Sequence, residues 1–262
     1  MLITLFVYGF LLEYLGVISG NYHYATFAIM IMGIIPLPVT FAWVGIIYSV
    51  MIIGERLELP VWLRILTTTL IALSLDWGMD PVAVEIGAWT WTFKGAPYFG
   101  VPSFNFVGWF FIPIAYLIPY GLNWNQEEKK LSLLNIAEID NENTLIRKLY
   151  TLLCVIPISM GILFIVGIFS SIPIVYNMPL IPLIIWAVLT VIIASGMIIW
   201  KRENLKRTQW FDIIPPTVLI YIGLNYAFYG FLVGRADLGF LMLLTGIPLW
   251  LAFIFTLQKP KS

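Results

Sequence analysis

One cysteine, one histidine and few charges leave this chain a short list of chemistries. Cys154 by itself makes neither an intrachain disulfide nor a cysteine metal cluster, and its apolar surroundings mark it as a packing residue. His23 by itself excludes a histidine-rich zinc or haem site and the histidine boxes of a di-iron oxidase. Charged residues make up 11% of 262 positions, against about 25% in soluble domains. Net charge is zero and no basic block exceeds two adjacent residues, so nothing fits a nucleic-acid partner. There is no glycine-rich dinucleotide fingerprint, no P-loop and no repeated DDxxD element. What remains is proton-driven chemistry with no metal and no cofactor, or no chemistry at all.

What is abundant is hydrocarbon. The chain is 61% hydrophobic, with a mean hydropathy of +0.95 and uncharged runs longer than the ~20 residues that cross a bilayer. The expected fold is all-α, a polytopic transmembrane bundle of about eight spans. They fall near 2–19, 33–54, 60–76, 104–122, 149–171, 179–200, 213–233 and 237–257. The first run carries no Lys or Arg before it and reads as a retained span, not a secretory signal. The polar stretch 123–148 divides the chain into a first half, 1–122, and a second half, 149–262. A faint echo between PLPVTFAW at 36–43 and PLIPLIIW at 179–186 hints at a parallel repeat of these halves.

Alternating eight spans puts 12 of the 14 basic residues on one side; Lys94 and Arg235 fall opposite. The positive-inside rule then makes both termini cytoplasmic in a multi-pass cell-membrane protein. Two segments resist assignment. Residues 22–32 read as a half-helix or as the start of a kinked span. Residues 77–103 read as an aromatic cap or re-entrant segment, tolerable at membrane depth only where protein or water satisfies its backbone.

Against this background the acids stand out, because an ionisable group in hydrocarbon is costly and marks function. The stretch EYLGVISGNYHY begins with Glu13, and DWGMDPVAVEIGAWTW carries Asp76, Asp80 and Glu85. The expected topology brings all four to the side away from the cytoplasm, with Asn105 opening the fourth span there. Structural roles compete for some of them. Asp80 precedes Pro81 and suits a helix cap, Glu85 has Lys94 within reach, and Arg235 and Asp237 suit a loop ion pair. The segment from Trp77 to Phe111 holds 11 of the 42 aromatic residues. That density fits an interfacial belt, and equally a groove whose ring faces stabilise a carbocation.

Four elements then occur in order: Glu13 with the glycines that follow it, the Pro-rich start at 36–43, DWGMDPVAVE from Asp76, and GVPSFNFVGW ending at Trp109. Together they resemble the carotenoid biosynthesis membrane proteins of the CruF type, the carotenoid 1,2-hydratases that include bisanhydrobacterioruberin hydratases. The resemblance covers about residues 13–110; beyond 123 only the hydrophobic profile matches. It implies water addition to the terminal C1–C2 double bond of an acyclic carotenoid or other long isoprenoid held in the bilayer. A carboxylic acid protonates C2, a tertiary cation forms at C1, and a second carboxylate activates water. On this reading Asp76 and Asp80 are the acid–base pair, with Glu13 and then Glu85 as further contenders. Asn105 and His23 position water; Tyr24, Trp89, Trp91 and Trp109 wall the groove. An isoprenoid cyclase or isomerase shares the cation and differs in its fate. A transporter or pigment scaffold would use the broken segments as a path. Oligomeric state is not encoded in any pattern here.

Overall fold

The protein, seen in a computed structural model, is described at residues 1–93, 95–124, 151–206 and 208–258. Of the expected polar loop at 123–148, the first two residues end a helix and 125–148 lie outside these residues, as does Lys94. Helix α1 (Leu2–Ile18) is an apolar run whose one charged residue is Glu13, and it ends just before Gly20. Helix α2 (Leu37–Arg56) starts directly after Pro36, with Pro38 in its first turn, where no N–H is needed. Helix α3 (Val61–Glu85) follows Pro60, and α4 is Ser103–Trp124. A π-turn at Thr151–Val155 leads into α5 (Ile156–Ser170), followed by the short α6 (Pro173–Tyr176). Then come α7 (Leu180–Trp200), the short α8 (Arg202–Leu205) and α9 (Ile214–Leu232). The chain closes with α10 (Ala236–Thr245) and α11 (Ile247–Leu257), bent by 53° at Gly246 ahead of Pro248.

The architecture is the expected all-α polytopic bundle, with a long helix or bent helix pair at each of the eight stretches read from sequence. Among the described residues five helices are long and apolar enough to cross a membrane, six if the bent pair counts as one. The outer helices carry their apolar side chains on the surface, as Phe164 (72% exposed) and Ile181 (71%) show.

Helix α3 is the axis. It packs against α2, α4, α7, α9 and α10, and every residue from Thr67 to Ala83 is buried. Two expectations fail on this helix. The third span does not end at Asp76, and Pro81 does not begin a new helix capped by Asp80; α3 runs through both to Glu85. Proline cannot donate to the carbonyl four residues back, which normally breaks a helix. Here Tyr98 supplies the missing donor: its hydroxyl bonds the Trp77 carbonyl at 3.0 Å. Tyr98 is held against Trp77 and Phe106, whose rings stack 3.7 Å apart. Its turn passes through left-handed Phe99 (φ 48°) and Gly100 (φ 82°).

The segment at 22–32 is also not helical. Strand β1 (Tyr22–Tyr24) pairs antiparallel with β4 (Trp89–Trp91), while β2 (Met30–Ile31) pairs with β3 (Ile35–Pro36). Of the segment at 77–103 expected as an aromatic cap or re-entrant stretch, 77–85 belong to α3, and the described residues from 86 to 102 form a strand and turns at the end of that helix. The ends of the bundle are tied by ions. At one end Arg56 bonds the carbonyls of Leu205 (2.8 Å) and Lys206 (3.0 Å) and pairs with Asp212 at 3.5 Å. At the other, Arg235 bridges Asp237 (2.9 Å) and Glu85 (2.5 Å).

Candidate active site

A cavity of about 710 Å³ lies between α1, α2, α4, α5 and the β1–β4 ribbon. The ribbon decides which rings enter it. Side chains alternate across a strand, so Tyr22 and Tyr24 point inward and His23 outward. Opposite them Trp91 and Trp89 point inward and Thr90 outward. All four inward rings line the cavity.

Glu13 projects from the buried face of α1 and is 5% exposed. Its Oε2 accepts the Tyr22 hydroxyl at 2.6 Å and the Tyr24 hydroxyl; its Oε1 accepts the indole N–H of Trp43. Two glycines make this convergence possible. A Cβ on Gly9 would lie 2.7 Å from Trp43 Cβ, so only glycine lets α2 come close enough for Trp43 to reach Glu13. A Cβ on Gly16 would overlap the Tyr22 hydroxyl. Burial, and next the Glu13 charge, push the Tyr22 and Tyr24 phenols well above their ordinary range, so both remain protonated donors.

Asp76 and Asp80 are four residues apart and share one face of α3. They are 0% and 3% exposed. The Asn105 side-chain amide, from the first turn of α4, donates to Asp76 Oδ2 and Asp80 Oδ2 at 2.9 Å each. Among the described residues no cation pairs with Asp76, Asp80 or Glu13. Asp76 Oδ1 is buried with no hydrogen-bond partner. Only Asp80 of the two reaches the cavity, where Glu13, Tyr22, Tyr24, Trp89 and Trp91 lie within its electrostatic range. The Trp91 indole N–H, close by, is buried without an acceptor. Two buried carboxyls thus meet on one amide, with no cation at either among the described residues.

The fold thus gathers Glu13, Asp80, Asn105, Tyr24, Trp89, Trp91 and Trp109 around one cavity, with Asp76 directly behind Asp80. It does not bring Glu85 or His23 there. Glu85 is held by Arg235 at the end of α3, and His23 is exposed on the far side of the ribbon. Trp109 stacks on Trp43 at 4.4 Å, so the indole that bonds Glu13 is itself fixed by the wall. Sequence reading missed Tyr22, Trp43 and Tyr226, all of which line the cavity. The YHY alternation was a usable signal for Tyr22; Trp43 and Tyr226 arrive only through packing.

The cavity is also open sideways. Leu15 on α1 (46% exposed) and Phe164 and Ile168 on α5 (72% and 59%) line it while facing outward. The cavity lining therefore reaches the exposed apolar surface of α1 and α5.

A family model described as carotenoid biosynthesis protein matches residues 1–169. No curated protein and no solved structure matches the chain. The matched stretch contains Glu13, Asp76, Asp80, Asn105 and most of the cavity wall. The chain belongs to the carotenoid biosynthesis protein family.

Proposed function

We propose that this family member hydrates the terminal C1–C2 double bond of an acyclic carotenoid, without a cofactor. The observation that carries the reading is the pairing of two unlike acid sites on one apolar cavity that opens sideways. A long isoprenoid enters from the exposed apolar surface of α1 and α5 and lays its end against the aromatic wall.

Asp80 holds the proton of the Asp76–Asp80 pair and gives it to C2. The π bond breaks, a C–H bond forms, and positive charge is left at C1. Glu13, already supplied with three donors, is the fixed counter-charge to that cation, and the indole faces of Trp89, Trp91 and Trp109 add to it. Water then bonds to C1 and loses a proton, which returns to the aspartate pair. The product is a tertiary alcohol and the enzyme ends as it began. Asn105 sets the spacing of the two aspartates, and Asp76 is a positioning residue because it does not touch the cavity.

The test is expression in a host that makes an acyclic carotenoid, with pigments resolved by mass spectrometry. A product heavier by one water is expected. An isomer of unchanged mass with a ring would make the protein a cyclase, and unaltered pigment despite folded protein in the membrane would overturn the proposal.

A further inference from the structure

The last third of the chain, which the family model does not match, contributes Ser170, Ser171, Tyr176 and Tyr226 to the cavity wall. Of these, Tyr226 comes from α9, which packs on both α2 and α3. Its neighbours on α9 do other work. Asn225 is half-buried and turns back to the Tyr221 carbonyl at 2.7 Å, and Gly223, Ala227 and Gly230 are buried packing positions. The Tyr226 ring packs on the core and lines the same cavity as Asp80. Among the described residues its hydroxyl makes no hydrogen bond. A free tyrosine hydroxyl in a cavity that also holds an acid is equipped to hold a water molecule.

We infer that Tyr226 positions the attacking water. This rests on the hydration reading and adds the side chain that holds the water. The water oxygen bonds to C1. The water then loses one proton, which returns to the Asp80 carboxylate. The tyrosine is unchanged, and the aspartate pair regains the proton it gave to C2.

The role separates two steps that can be read apart in D2O. Protonation by Asp80 labels carotenoid with deuterium; capture by water depends on Tyr226. Wild type and Tyr226→Phe are incubated in D2O with an acyclic carotenoid, and pigments are analysed by mass spectrometry. For Tyr226→Phe the ratio of water adduct to deuterium-labelled, unhydrated carotenoid should fall at least about tenfold, with KM for the carotenoid unchanged. An unchanged ratio overturns the inference, and so does loss of label and adduct together, which would place the tyrosine in folding or in protonation. If wild type makes no water adduct, the hydration reading falls and takes this inference with it. A wild-type adduct with an unaltered Tyr226→Phe ratio removes only the tyrosine.

Discussion

The two acid sites on the cavity are provisioned in opposite ways. Glu13 receives two phenol hydroxyls and an indole N–H, one of which can only donate. Asp76 and Asp80 share one amide, and one of their four oxygens is buried with nothing bonded to it. On the proposed reading the first environment suits a carboxylate, because every neighbour offers a proton, and the second a neutral acid, because a shared proton removes the repulsion between two like charges. Among the described residues no cation pairs with either site, so the two are told apart by their neutral donors. Residue type says only that three acids are present; in the proposal it is the count of donors around each that assigns one to release a proton and another to face a cation.

That contrast breaks first at Asp80. Asp80→Asn keeps the shape and the bond to Asn105 but removes the proton that reaches the cavity. Product should fall by about 10²–10⁴-fold, the usual worth of a general acid, and deuterium should no longer enter the carotenoid from D2O. Measured product within a factor of two of wild type would assign the proton elsewhere. Glu13→Gln tests the other wall. It keeps the hydrogen-bonding shape and removes the counter-charge, so turnover should fall by about 10²-fold while pigment binding, read from its absorption, persists. If the two variants lose label and product in the same proportions, the division of roles is wrong.

Asp76→Asn comes next. Asp76 touches the pair and not the cavity, so the loss should be about tenfold, in line with one hydrogen bond to a charged group. A loss as large as that of Asp80→Asn would make Asp76 the donor.

Much of this was legible from sequence, and the misses share a cause. The span pattern, the acids and Asn105 follow from composition and local spacing. Local reading stopped the third span at Asp76 because Trp77, Gly78 and Pro81 look like a break. The helix continues because a hydroxyl 21 residues away bonds the Trp77 carbonyl, and no window along the chain contains that fact. The ribbon was missed for the same reason. Three residues, Tyr22–Tyr24, are too few to declare a strand by themselves and become one only against 89–91. Once the strand is known, alternation accounts for Tyr22 in the site and His23 outside it. Tyr226 depends on α9 reaching α3, which is a matter of packing alone.

The smallest expected effect concerns the donors on Glu13, and it tests whether they hold a charge or merely fill space. Tyr22→Phe removes one of three hydrogen bonds and leaves the ring against Trp91, whose centroid is 4.9 Å away. If Glu13 is the fixed counter-charge, losing one donor should cost about 1 kcal/mol, or about fivefold in turnover, with no change in deuterium labelling per turnover. Gly16→Ala offers an independent route to the same loss. Its added methyl would occupy the position of the Tyr22 hydroxyl, so the tyrosine must swing away while Glu13, Tyr24 and Trp43 remain. The two variants should match in turnover, and combining them should cost no more than either alone, because both delete one bond. Additive losses would mean that Gly16→Ala disturbs α1 itself, and then the fivefold effect would report packing and not the charge on Glu13.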